Sequence, residues 1–151
     1  MIAGARYTHT NLIAHNWRRL AVFYESVFAC VPVPPERNYS GPELEALTAL
    51  PGASLTGVHL LLPGSEPGGP TLEIFEYASG VPDSTRAVNR PGLAHLAFSV
   101  DSVADALAEV VAAGGAPVGE VAVLTTSTGS RVTAAYATDP EGNVVELLSW
   151  E

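Results

Sequence analysis

The sequence predicts an α+β fold made of two tandem β-α-β-β-β modules, and three observations lead there. Short runs of β-branched and aromatic residues recur in both halves of the chain. A segment of helical periodicity follows the first such run in each half. A histidine then opens each half and a glutamate sits in the last strand of each, which marks an internal repeat. The first module is assigned to 5–80 and the second to 90–151, within one domain covering 1–151.

In the first module, ARYTHTNLIA (5–14) reads as a strand. Asn16 is placed to cap a helix over 17–28, where Trp17, Leu20, Phe23, Tyr24 and Val27 fall on one face. CVPVPPE (30–36) is a short extended piece that its prolines confine to a sheet edge. Residues 37–54 form a longer connection with a helical turn at PELEALTAL (42–50), a natural lid with Tyr39 and Leu44 toward its inner side. TGVHLLLP (56–63) and TLEIFEY (71–77) are strands joined by the turn GSEPGGP.

After a linker at about 78–91 the order restarts. GLAHLAFSV (92–100) is a strand, and Asp101 or Ser102 caps a helix over 103–113 that stops at Gly114-Gly115. GEVAVLTT (119–126), RVTAAYAT (131–138) and NVVELLSW (143–150) complete the module, with DPEGN (139–143) turning between the last two.

Composition narrows the function. Of 151 residues, 47% are hydrophobic, enough for one core. No apolar run reaches the roughly 20 residues a membrane helix needs, and the first residues lack the pattern of a signal peptide. A single cysteine, Cys30, precludes an internal disulfide and is read as a small core residue in a reducing, cytoplasmic protein. Seven Lys+Arg against sixteen Asp+Glu give a formal charge of −9, which argues against nucleic acid as a partner.

Glu73 and Glu146 pose the chemical question. Each lies inside an apolar strand, Glu73 among Leu72, Ile74 and Phe75, and Glu146 among Val145, Leu147 and Leu148. A carboxylate buried without a partner costs several kcal/mol. His9 and His95, in the first strand of each module, supply an answer: two neutral imidazoles and two carboxylates suit a divalent first-row metal. Alternation puts His9 on one face with Tyr7, Asn11 and Ile13, and His95 with Leu93, Ala97 and Ser99. A lone strand histidine is more often a hydrogen-bonded rim residue; the weight here lies in the repetition. His15 is expected in solvent near the helix start. His59, mid-strand and able to face the same surface, is a weaker candidate.

The segments HTNLIAHNWRRLAVFYESVF (9–28), TLEIFEY, GLAHLAFSVDSVADAL (92–107) and DPEGNVVEL (139–147) resemble the vicinal oxygen chelate superfamily. That group includes glyoxalase I, methylmalonyl-CoA epimerase, fosfomycin-resistance proteins, extradiol dioxygenases and bleomycin-binding proteins. The resemblance implies a glyoxalase-like fold, in which two βαβββ modules form a cup-shaped curved sheet with helices outside. It implies metal ligands at His9, Glu73, His95 and Glu146, holding Ni, Co, Zn, Mn or Fe. It also implies a small-molecule substrate chelated through neighbouring oxygens, with Glu73 or Glu146 as catalytic base for isomerase or lyase chemistry through an enediolate. A homodimer is the expected assembly.

Two other functions follow from the same resemblance: an Fe(II)-type dioxygenase, and a resistance protein that sequesters an antibiotic against aromatics such as Tyr77, Tyr136 or Trp150. Bleomycin-binding members generally lack the ligands, which favours an enzyme. Glyoxalase I usually carries an arginine for glutathione where this chain has Ile13, and an asparagine where it has Tyr77, so glutathione is not the expected substrate. Epimerases commonly carry glutamine at the position of Glu73. Arg86 and Arg90, in the linker, are read as solvated charges.

Overall fold

The computed structural model describes residue 2, residues 4–81 and residues 87–151. Its contacts divide the chain into two compact units, Met1–Pro82 and Asp83–Glu151.

The first unit runs β1 (His9–Ile13), α1 (Trp17–Phe28), β2 (Val31–Ser40), α2 (Pro42–Thr48), β3 (Ser54–Leu61) and β4 (Thr71–Tyr77). The strands lie in the order β1-β4-β3-β2, with β1 parallel to β4 and the other pairs antiparallel. The Asn16 side chain accepts from the Arg19 backbone N–H at 3.0 Å, so α1 starts where the cap was expected. Trp17, Leu20, Ala21, Phe23, Tyr24 and Phe28 form its buried stripe. It packs on Val58 and Leu60 of β3 and Leu72 and Ile74 of β4, all at most 5% exposed. Each such side chain contributes about 1.5–3 kcal/mol by leaving water. The pleat therefore commits even-numbered residues of β3 and β4 to the helix and turns His59 and Glu73 to the opposite face.

Two boundaries differ from the sequence expectation. β1 is shorter than 5–14: its ladder begins with His9 opposite Thr71, and the residue before Thr71 is Pro70, which has no N–H to pair. β2 is longer than 30–36 because a register shift between Val33 and Arg37 lets Pro34 and Pro35 sit unpaired in a bulge, and pairing resumes at Arg37 opposite Gly57. Gly57 itself is required by close approach: a Cβ there would lie 2.0 Å from the Ile74 carbonyl oxygen.

The second unit runs β5 (Leu96–Ser99), α3 (Val103–Ala112), β6 (Ala116–Pro117), β7 (Ala122–Thr125), β8 (Arg131–Thr138) and β9 (Val144–Trp150). β5 is parallel to β9 and β9 antiparallel to β8, while β6 and β7 both pair with β8 as an interrupted edge strand. The order repeats that of the first sheet. β5 is four residues long, against the nine expected at 92–100, and His95 lies immediately before it. Ser102, rather than Asp101, caps α3, accepting from Asp105 N–H at 3.3 Å.

The DPEGN turn is tightly organised. Asp139, only 2% exposed, accepts from the backbone N–H groups of Glu141 and Asn143 at 2.9 Å each and from Asn143 Nδ2 at 2.7 Å. The turn fixes Thr138 opposite Val144, and the register that follows places Glu146 opposite Tyr136.

Candidate metal centre

In the first unit, Glu73 lies opposite His59 on β3 and opposite Asn11 on β1. His59 Nε2 is 2.8 Å from Glu73 Oε1, His9 Nε2 is 3.6 Å from Oε2, and Asn11 Nδ2 donates to Oε2 at 2.9 Å. The two imidazoles meet edge to face, 5.7 Å between centroids. Each ring's other nitrogen is also engaged: His59 Nδ1 with Thr71 Oγ1 at 2.9 Å, and His9 Nδ1 with Thr8 Oγ1 at 3.3 Å. Polar partners thus answer the burial of Glu73, whose side chain is 13% exposed. Burial pushes the His59 pKa down; the attraction of Glu73 opposes this only in part, and the charges of Arg37 and His9 add to the lowering.

The second unit has a parallel arrangement. His95 Nε2 is 3.2 Å from Glu146 Oε2. Tyr136 takes the place of His59: it lies directly opposite Glu146 across the strand pair. Desolvation and then the Glu146 charge raise the Tyr136 pKa, so it stays a neutral phenol. Its ring centroid is 5.3 Å from that of His95. Ala97 stands where the first unit has Asn11.

Within each unit the structure brings together the expected pair, His9 with Glu73 and His95 with Glu146. It also promotes two residues that sequence reasoning ranked low. His59 was a weaker candidate and Tyr136 only one of several aromatics. The signal was the strand register across the turn, which becomes readable only once both turn boundaries are known. His15 is exposed, as expected.

The connection after β2 has a definite role. α2 buries Leu44 with Ala53 and Leu55, and Phe75 and Tyr77 pack against them. Phe75 and Tyr77 share the face of Glu73, and the Phe75 ring is 6.2 Å from His59, so an apolar floor adjoins the polar cluster. Tyr39, opposite Leu55, is 48% exposed, and Trp150 is 57% exposed. Arg90 is exposed, and Arg86 lies outside the described residues. A cavity of about 440 Å³ opens instead at the start of α1, beside Trp17, Thr56 and Glu76. Its groups are internally matched: Glu76 accepts the Trp17 N–H at 3.2 Å, Trp17 Nε1 donates to Thr56 at 3.0 Å, and Arg18 holds Glu36 through two 2.8 Å bonds. This cavity lies on the helix side of the sheet, away from Glu73.

The donor set of the first unit suits a metal. Metal–nitrogen and metal–oxygen bonds of about 2.0–2.2 Å place neighbouring donor atoms about 3–3.5 Å apart. The separations of 2.8 Å from His59 Nε2 to Oε1 and 3.6 Å from His9 Nε2 to Oε2 of Glu73 bracket that range. Among the described residues, His9, His59 and Glu73 each offer a ligand atom within 4.8 Å of the others.

These features agree with the comparisons. The chain belongs to the Glyoxalase/Bleomycin resistance protein/Dioxygenase superfamily, whose family model matches residues 6–147. A glyoxalase family protein from Bacillus cereus has the same fold, with a TM-score of 0.80 at 17% identity over 99% of both chains. The fosfomycin resistance protein FosX from Listeria monocytogenes, solved with Mn(II) and sulfate, superposes with a TM-score of 0.55 at 17% identity, over 99% of this chain and 93% of its own. A glyoxalase I variant from Zea mays gives 0.63 at 19% identity, over 94% of this chain and 45% of its own. At these identities the likeness is one of fold. No curated protein matches the sequence.

Proposed function

We propose that the chain is a divalent-metal-dependent enzyme of the glyoxalase type, acting on a small substrate with two neighbouring oxygens by proton transfer, as an isomerase or lyase. The histidine–glutamate pair of each module, His9 with Glu73 and His95 with Glu146, is proposed as its contribution of ligands. The observation that carries this reading is the placement of Glu73, a mostly buried carboxylate with an imidazole Nε2 at 2.8 Å and another at 3.6 Å. A bound cation would supply Lewis-acid polarisation of a chelating carbonyl, acidifying the adjacent C–H.

The chain's own groups would do the rest. Glu73 and Glu146 are the proposed proton acceptors, Glu73 oriented by Asn11 and His59, with Tyr136 the cross-strand neighbour of Glu146. Tyr136 is also positioned to return a proton to a substrate oxygen next to Glu146. The apolar floor of Leu44, Phe75 and Tyr77 would keep water from one side of Glu73.

A dioxygenase is the second reading, favoured by the two imidazoles and one carboxylate on one face of the first sheet, a set that suits Fe(II). Elemental analysis of protein stripped and reloaded with single metals separates the two. About one equivalent of nickel, cobalt, zinc or manganese supports proton transfer, and preferential retention of iron supports the dioxygenase. Glu73→Gln and Glu146→Gln are each expected to weaken metal binding or turnover by at least about tenfold. Full metal content and unchanged turnover in either variant refutes the ligand pairs.

A further inference from the structure

We propose that His59 is a metal ligand, and that the first module by itself holds one divalent first-row cation through His9 Nε2, His59 Nε2 and the Glu73 carboxylate. This rests on the proposed function's claim that the chain binds such an ion and departs from its ligand assignment: the third donor, His59, comes from the first module in place of His95 and Glu146.

The geometry comes from register. His59 and Glu73 are direct cross-strand partners, and Asn11 flanks Glu73 from the other side. The three donor atoms therefore converge without any residue of the second unit. Both imidazoles turn Nε2 toward the same carboxylate and rest Nδ1 on a threonine hydroxyl, Thr71 for His59 and Thr8 for His9. Histidine ligands characteristically have the nitrogen that does not bind metal held by a hydrogen bond, which fixes ring and tautomer. A threonine hydroxyl both donates and accepts. It can thus support the tautomer with the proton on Nε2, facing Glu73 in the metal-free protein. It can equally support the tautomer with the proton on Nδ1, which frees the Nε2 lone pair for a cation.

The second module lacks this completeness. Tyr136 occupies the position of His59 opposite Glu146, so among the described residues the equivalent place in that module holds one imidazole, His95, and one carboxylate, Glu146. The two modules share a scaffold and differ in denticity at one register position.

The test uses full-length, metal-stripped protein carrying His95→Ala and Glu146→Gln together, titrated with Co(II) by calorimetry and by visible absorption. The expected result is about one equivalent of Co(II) bound, with affinity falling about 100-fold or more on adding His59→Gln and about tenfold on adding Thr71→Val. His59→Gln keeps a polar partner for Glu73, so loss of Co(II) with an unchanged circular dichroism spectrum reports ligation rather than folding. If the double variant binds no Co(II) while the wild type binds it, the self-sufficient site is refuted and the ligand pairs of both modules stand. Undiminished affinity in the His59→Gln variant also refutes the proposal. A wild type that takes up no divalent metal refutes this proposal and the proposed function together.

Discussion

Asp139→Ala tests how the DPEGN turn fixes the register that delivers Glu146. The substitution removes a buried carboxylate that accepts three hydrogen bonds, two from backbone N–H groups at 2.9 Å and one from Asn143 Nδ2 at 2.7 Å. Hydrogen bonds to a charged group are worth about 1.5–3 kcal/mol each, and they are not additive. Glu141 and Asn143 are half-buried, so water recovers part of the loss once the carboxylate is gone. The expected net cost is about 3 kcal/mol. At a urea slope of about 2 kcal/mol per molar, the unfolding midpoint falls by about 1.5 M with little change in slope. Asp139→Asn keeps one acceptor oxygen but turns an amide N–H₂ toward Asn143 Nδ2, and should cost about half as much. A midpoint for Asp139→Ala within about 0.2 M of wild type would refute the assignment of the turn's order to this side chain.

Gly57→Ala forces a Cβ to within 2.0 Å of the Ile74 carbonyl oxygen and 2.4 Å of Phe75 Cδ1; since backbone cannot yield locally, a loss of about 3 kcal/mol is expected in the same assay. Cys30, buried and free, has its thiol pushed up to about 11 by burial first and the Glu25 charge second. It should resist a thiol reagent at pH 8 until denaturant is added, and rapid labelling of the native protein would contradict this. Because its folded pKa lies above the ordinary 9.0, its contribution to stability is complete below about pH 9 and is lost as pH rises through about 11, which stability measurements across that window would register. S-linked glutathione conjugates should not bind at sub-millimolar concentration: Ile13 is exposed and apolar, and Tyr77 is packed against the Leu44 cluster. A clear calorimetric titration would overturn that.

Much of this arrangement was legible in the residues because local rules governed it. Asn16 caps α1, TLEIFEY and RVTAAYAT are β4 and β8 at their expected bounds, and the repeated histidine and glutamate led to both pairs. What escaped prediction depends on partners distant in sequence. The ends of β1 and β5 are set by where β4 and β9 begin, and nothing within ARYTHTNLIA or GLAHLAFSV encodes that. CVPVPPE is the edge strand its prolines indicate, but its continuation to Ser40 depends on a bulge that absorbs them. The pairing of His59 and Tyr136 with the glutamates escaped for the same reason. Their link to Glu73 and Glu146 is cross-strand, and the turns GSEPGGP and DPEGN differ in length, so equal roles fall at unequal spacings.

The interrupted edges have a further consequence, for the behaviour of the molecule at high concentration. β2, one edge of the first sheet, pairs with β3 over Val31–Val33 and again over Arg37–Ser40, and the edge of the second sheet opposite β5 is split into β6 and β7. A continuous flat edge offers an unbroken row of N–H and C=O groups on which a stray strand can grow. Here each row is cut before it exceeds four residues, by prolines in one sheet and by residues 118–121 in the other. An incoming strand would find no register that satisfies its whole length. The apolar side chains exposed on β7, Val123 and Leu124, are thereby carried on an edge too short to seed a fibril.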